Sequence, residues 1–450
     1  MLHRDDTFHF EAMRVLGSAR YFGADVAEVL QTVEAIAPGD FEGWCTHFKA
    51  LADRLRRRAA RTGRAHCVSF RDAMFHAAGY YRAADFFLHG NDADPRICSL
   101  WKAQKECFDL AIAVLPNPGE RITIQADGFR VPAIFYRADQ SRGPRPTLLM
   151  CNGYDGSQEE MLHTNGFAAL ERGLNVVTFE GPGQPTTRRE QGLGFIPEWE
   201  RVVSPVLDFC MQQPEIDSAR IGLLGYSMGA LLAARAAAFD RRIAAVLCVD
   251  GIYDLYSAFK HSLPEALSSL FEQGAEEPFN RAIEKAMQGS TKMRWAIGQG
   301  LWSFKVASPF ALLVAARQWS LKGVVDRITA PTLVCGAGND RFFQGQPELL
   351  ASALGDRARY YEFTDADAAG EHCHVGAGVF MNQVVMDWFE DLVHRLDRED
   401  NLPSGAHLVP AGWWSHISAT ASPVLLPGVN PTIATDESSF VADRNTTCAP

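Results

Sequence analysis

No run of roughly eighteen or more apolar residues occurs in the 450-residue sequence, so no membrane-spanning helix and no membrane partner are expected. Met1-Leu2-His3-Arg4-Asp5-Asp6 leads into mixed polar sequence without the apolar core of a signal peptide. An excess of basic residues is also missing. Lys and Arg number 43 against 54 Asp and Glu, a net charge of -11, which gives no electrostatic reason to bind nucleic acid. The ten cysteines form no close metal-type cluster. Cys151, Cys248 and Cys335 stand in apolar contexts, where cysteine behaves as a small hydrophobe, and reduced thiols in a cytoplasmic protein are expected. Glu180-Gly181-Pro182-Gly183-Gln184-Pro185 has glycines but no downstream Gly-Lys-Ser/Thr, so it is no phosphate loop. Tight packing beside a site is the better reading, and neither a cofactor nor a metal is expected.

What is present divides into stretches of different pattern. Residues 1–118 read as a helical domain, with amphipathic runs over Val26 to Ile36, Phe41 to about Arg58, Ser69 to Leu88 and Ser99 to Ala113. Asp40 is placed to cap the second run, in which Trp44, Phe48, Leu51 and Leu55 recur at helical spacing. From residue 119 the pattern changes to short apolar strands. Arg121–Gln125 and Val131–Tyr136 suit a hairpin or sheet edge, and Thr147–Cys151, Asn175–Phe179, Ile221–Leu224, Ala244–Val249, Thr332–Cys335 and Arg359–Phe363 follow. Strand and helix alternate, which predicts an α/β fold with a mostly parallel sheet. Residues 119–250 and 326–399 form the two parts of this core. The insertion 251–325, with Trp295, Trp302, Phe304 and Phe310, is too long for an ordinary connection. It is read as a helical cap or lid, with helices at the sheet edge as the alternative. Phe380 to Arg398 suits a closing helix, and 400–450 an irregular tail.

The chemistry gathers around Ile221-Gly222-Leu223-Leu224-Gly225-Tyr226-Ser227-Met228-Gly229, where an apolar strand meets Gly-x-Ser-x-Gly and a small-residue helix begins at once. That is the pattern of a nucleophile elbow; a serine that merely caps a buried helix is the plain alternative. A serine nucleophile needs a base and an acid to orient it. Asp340, just past the strand Thr332–Cys335, is the best-placed acid, with Asp365, Asp367 and Glu371 as fallbacks. Glu371-His372-Cys373-His374 offers two histidines; His374, nearer the closing helix, is the expected base, and His372 a loop residue or hydrogen-bond partner. The expected oxyanion donors are the N–H of Met228 and, from Asn152-Gly153-Tyr154-Asp155-Gly156-Ser157, that of Tyr154. Asp155, Tyr226, Asp250, His261 and Trp302 are candidate substrate contacts.

With these residues in place, the chain resembles the α/β-hydrolases that carry an extra N-terminal helical domain. That group includes 2,6-dihydropseudooxynicotine hydrolase and the fungal polyketide-shortening hydrolases of the yellowish-green pigment type. The resemblance runs from about residue 15 to 398. It rests on Gly23-Ala24-Asp25 with Glu28, Gly39-Asp40 with Trp44, Tyr80-Tyr81-Arg82-Ala83-Ala84, and the core motifs 152–157, 180–184, 225–229 and 372–374. Gln184-Pro185 departs from the usual Gln-Gly. The resemblance implies Ser227 as nucleophile, Asp340 as acid and His374 as base. It also implies cleavage of a carbon–carbon bond beside a ketone, or of an ester, through an acyl-enzyme. A small-molecule substrate, aromatic or polyketide, is the expected partner, with a homodimer as the assembly. Capture of the acyl group by an internal nucleophile, as in an acyltransferase or cyclase, is the alternative.

Overall fold

Asp5 starts the first helix, α1 (Asp6–Gly17): its carboxylate accepts from the N–H of Thr7 and Phe8 at 2.9 and 3.1 Å. This is a computed structural model, and it describes residues 1–400 apart from Arg142. The tail expected after residue 400 lies outside the described residues. Asp25 and Asp40 cap α2 (Val26–Glu34) and α3 (Phe41–Thr62) in the same way, and α4 (Cys67–Asp85) follows. Asp94 and Pro95 open α5 (Pro95–Ile112). The individual runs legible in the sequence begin at Val26, within a region that reads as helical from residue 1. Yet Phe8, Ala12 and Val15 recur at helical spacing behind an Asp cap, and these residues form the buried face of α1. Trp44 is the centre of this region. Its ring lies 4.8 Å from Phe8, 4.7 Å from Phe48 and 5.2 Å from Phe87 by centroids, and its Nε1 donates to the Ala83 carbonyl at 2.8 Å. Burying each large apolar side chain of such a cluster contributes about 1.5–3 kcal/mol.

Eight strands follow: β1 (Glu120–Ala126), β2 (Phe129–Tyr136), β3 (Arg145–Cys151), β4 (Asn175–Phe179), β5 (Ile216–Tyr226), β6 (Ala245–Val249), β7 (Thr332–Ala337) and β8 (Ala358–Phe363). They make one sheet in the order β1-β2-β4-β3-β5-β6-β7-β8. The β1–β2 and β2–β4 pairs are antiparallel and every later pair is parallel. Alternation along the strands sends side chains to two cores. Leu148, Met150 and Leu224 pack with the N-terminal helices, whereas Leu149, Cys151 and Leu223 pack on the opposite face.

Short helices α6 (Gln158–Met161) and α7 (Phe167–Glu171) flank a turn of π-helix over Leu162–Gly166. The single helix expected over 159–171 is thereby broken. Then come α8 (Pro185–Gln191), α9 (Glu200–Cys210) and α10 (Met228–Ala237), which runs directly from the end of β5. The insertion holds α11 (Leu255–His261), α12 (Glu265–Glu272), α13 (Glu276–Gly289), α14 (Thr291–Phe304) and α15 (Pro309–Ala316). It has a small core of its own in Phe271, Phe279, Ile283 and Leu313. The last helices are α16 (Gln346–Leu354) and α17 (Gly378–Asp400). Met1–Leu396 form one compact unit. Among the described residues no helix is long and apolar enough to cross a membrane.

The β5–α10 junction tolerates no side chain at Gly225, where a Cβ would stand 2.1 Å from the Gly229 carbonyl oxygen. Gly225→Ala is expected to destabilise the fold by about 1–3 kcal/mol, read as a lower urea midpoint with an unchanged slope.

Candidate active site

Ser227 sits between β5 and α10 with φ 59° and ψ -129°, a conformation that is strained for any residue but glycine. Its N–H donates to the Val249 carbonyl at the end of β6, 2.9 Å away. The turn holds the hydroxyl clear of the backbone. Asp250, Cys373 and His374 also have positive φ (56°, 52° and 55°), so backbone strain is concentrated around this point.

The histidine that meets Ser227 is His372. Its Nε2 lies 2.9 Å from Ser227 Oγ, and its Nδ1 is hydrogen-bonded to Asp340 Oδ2 at 2.9 Å. His374, the histidine expected there, is turned away. Its Nδ1 lies 3.1 Å from the Ala369 carbonyl, and its Nε2 stands 3.5 Å from Asp250 Oδ1. The cause is the left-handed backbone at Cys373 and His374, which reverses the chain so that only the first histidine faces the serine. His374 also stacks on Phe363, ring centroids 3.8 Å apart.

Asp250 takes a position different from the substrate contact expected of it. It is fully buried, its Oδ2 accepts from the Cys373 N–H, and the same oxygen lies 2.9 Å from His372 Nδ1. Two carboxylates therefore flank one imidazole nitrogen. Burial alone would lower the His372 pKa, but Asp340 and Asp250 outweigh it and hold the ring well above its ordinary value. For Asp340, burial pushes upward, yet the pairing with His372 and the N–H groups of Phe342 and Phe343 bring its carboxyl below the usual range. His374, by contrast, is pushed down by burial. Asp250, His372 and Cys373 bring three potential metal-ligand atoms within 4.8 Å of one another. The fit to a cation is poor: both His372 nitrogens are already engaged, and burial pushes the Cys373 thiol up to about 12.

The loop after β3 comes up beside the serine. A Cβ on Gly153 would lie 2.8 Å from the Met228 nitrogen, so only glycine permits this approach. Met228 opens α10, where the first N–H groups have no partner inside the helix. The Gly153 N–H is already given to Asn152 Oδ1 at 2.8 Å. Tyr154 is clamped against the insertion: its hydroxyl donates to the Ala296 carbonyl at 2.8 Å, and its own carbonyl accepts from Gln299 Nε2 at 2.9 Å.

Ser227 and His372 open onto a cavity of about 350 Å³. Tyr226 and Asp155, two of the expected contacts, line it, and the Tyr226 hydroxyl donates to the Cys373 carbonyl at 2.9 Å. Two others do not. His261 is exposed at the end of α11, while its neighbours Phe259, Ser262 and Leu263 supply the wall. Trp302 is buried elsewhere and stacks on His89 at 4.1 Å. Phe10, Glu11 and Arg14 of α1 line the cavity and were missed from sequence, as was the helix that carries them. Arg14 bolts α1 to the core. Its Nε and Nη2 reach the two oxygens of Glu160 at 2.6 and 2.7 Å, and Nη2 also meets Asp155 at 3.1 Å. Arg82 pairs with Glu11 in the same network. Burial would raise Glu160, but Arg14 and Arg82 hold it down at about 2.

Comparison with known proteins matches this architecture to one family. The alpha/beta hydrolase family pattern covers residues 148–392. The chain belongs to the alpha/beta hydrolase family. It is 33% identical over 389 residues to 20-hydroxy-prefusarin hydrolase FUS2 of Gibberella moniliformis, covering 83% of this chain and 90% of that one. It is 30% identical over 415 residues to hydrolase acrC of Aspergillus aculeatus, covering 86% and 96%. Among solved structures it superposes on 2,6-dihydroxy-pseudo-oxynicotine hydrolase with a TM-score of 0.67 at 20% identity, covering 84% and 95%. This hydrolase-family chain shares with that structure a fold that extends well beyond the matched core pattern.

Arg14→Met keeps the length of the side chain but leaves Glu160 buried beside a weakened set of cations. The expected cost is about 3 kcal/mol of stability, measured by urea unfolding at neutral pH.

Proposed function

We propose that this protein is a serine hydrolase that cleaves a carbon–carbon bond beside a ketone, or an ester, in a polyketide-like or aromatic metabolite. The observation that carries this reading is the chain from Ser227 Oγ to His372 Nε2, and from His372 Nδ1 to Asp340, both links 2.9 Å, at the floor of a largely apolar cavity. His372 takes the role that the sequence reading gave to His374. As Ser227 Oγ attacks the substrate carbonyl, His372 accepts its proton, and Asp340 steadies the imidazolium that forms. The N–H groups of Met228 and Tyr154 are the donors assigned to the oxyanion. Collapse expels an enolate or carbanion, or an alkoxide in the ester case, which takes the proton from His372. Water, deprotonated by His372, then attacks the acyl-Ser227 ester and releases a carboxylic acid and the free serine.

Asp250 has a distinct part in this scheme. A second carboxylate at the same nitrogen increases the preference of His372 for its charged form, so the free base persists only at higher pH. The relatives named as hydrolases, one of them of 20-hydroxy-prefusarin, support hydrolysis of a small metabolite. The apolar enclosure of Phe259, Leu312 and Leu313 also favours a second outcome. There a hydroxyl of the substrate itself captures the acyl group and closes a lactone.

Ser227→Ala and His372→Ala are each expected to abolish labelling by a fluorophosphonate and to lower kcat by about 10³-fold or more, whereas His374→Ala retains labelling. Labelling that survives His372→Ala but is lost in His374→Ala would reverse the assignment. Turnover in ¹⁸O-water separates the two outcomes, since hydrolysis places the label in the acid product and ring closure does not.

The pH dependence has a definite sign. With the His372 pKa raised, kcat/KM climbs with pH through a value above the ordinary histidine range. Asp250→Asn removes a stabilising anion, so the pKa falls and the acid limb moves to lower pH. A limb that stays in place would show that Asp250 has no electrostatic part in catalysis.

A further inference from the structure

The active-site cavity shares Thr7, Ser290, Lys292 and Arg341 with an outer cleft, so these residues stand at the neck between them. Lys292 is in an electrostatically poor position. It lies in the first turn of α14, at the positive end of the helix dipole, and its neighbour Arg341 is also a cation. Its Nζ donates to the Arg341 carbonyl at 2.6 Å. It has no carboxylate partner among the described residues, and an ammonium carries three donors. Burial, with Arg341 adding to it, pushes its pKa down against the opposing pull of Asp340, an acid already bound to His372.

The acids nearby are committed to other groups. Asp5 caps α1 and accepts from Thr291 Oγ1 at 2.6 Å, and Glu371 pairs with Arg341 at 3.2 Å. Asp6 is exposed in the first turn of α1, outside the inner cavity. Within the inner cavity, Glu11 and Asp155 are tied to Arg82 and Arg14. Arg341 retains an unused donor, since its Nε is buried with no acceptor among the described residues.

Both cations are one aromatic layer from the active site. Lys292 Nζ lies 4.7 Å from the centre of the Phe342 ring and Arg341 5.3 Å from that of Phe10. Those rings stand 5.0 and 6.5 Å from His372. An anion at the neck would relieve the repulsion between Lys292 and Arg341 while the rest of its molecule reached Ser227.

We infer that Lys292, with Arg341 beside it, binds a delocalised oxygen anion of the substrate, a carboxylate or an enolate, at the end remote from the bond that is broken. The inference rests on the proposed hydrolase reading of Ser227, which it deepens by naming a charge that the substrate carries. It makes Lys292 a specificity residue with no part in the covalent steps.

Two 4-nitrophenyl esters of similar length test it: the hexanoate, which is neutral, and the monoester of adipic acid, which ends in a carboxylate. The wild type should prefer the adipate monoester. Lys292→Met should lower the ratio of kcat/KM for the adipate monoester to that for the hexanoate by about tenfold, as expected for loss of a charge-assisted hydrogen bond. Lys292→Arg should restore the preference. Equal discrimination by wild type and Lys292→Met, or no wild-type preference, would overturn the inference. If neither ester is turned over, the hydrolase reading is what fails on these probes. Calorimetry of adipate binding to the wild type and to Lys292→Met then decides the anion site: binding lost in the variant supports it, and no binding to the wild type, or equal binding to both, overturns it.

Discussion

The hydrogen bond from the Ser227 N–H to the Val249 carbonyl joins the ends of two neighbouring parallel strands, and the site is assembled around it. It holds a turn whose backbone would not adopt positive φ unaided. The turn closes only because glycine occupies 225 and 229, and glycine at 153 lets the loop after β3 approach the start of α10. The strain at Ser227, Asp250, Cys373 and His374 costs on the order of 1–3 kcal/mol at each residue. The buried centre of the sheet beneath offsets it. Leu223 and Leu224 of β5 are wholly inaccessible to solvent, and so are the facing residues of β3 and β6.

Electrostatics at the site follows from the same geometry. β6 and β7 end side by side, and each delivers an aspartate to the same imidazole. Asp340 has its second oxygen satisfied by backbone N–H groups of its own loop. Asp250 is held by the Cys373 N–H and faces His374 on its other side. The two histidines of the H-x-H sequence thus have unequal tasks. One stands against Ser227; the other, itself buried, closes the far side of a fully buried carboxylate.

Much of this was readable from local pattern. The strand-turn-helix signal around Ser227, the late strand leading to Asp340 and the alternation that makes a parallel sheet are all properties of short stretches. So is the cap at Asp40. The choice between His372 and His374 was not, because it turns on the left-handed backbone at Cys373 and His374. Asp250 was seen as lying near the crevice, but its orientation toward a histidine 122 positions away depends on tertiary packing. Residue type within the insertion points to His261 and Trp302, but helix rotation puts Phe259, Ser262 and Leu263 beside the first, and Trp295, Ala296 and Ile297 two turns before the second, on the cavity instead. α1 carried a readable signal in Asp5, Phe8, Ala12 and Val15. The polar character of the first residues masked it, and the cavity wall it supplies went unseen.

The cavity wall has three sources: α1 and the end of α4 from the N-terminal helices, α14 and its neighbours from the insertion, and the loops at the ends of the strands. A molecule filling it touches all three at once. Its binding free energy therefore adds to the contacts that hold these parts together. The occupant acts as a keystone, bracing the walls around Ser227.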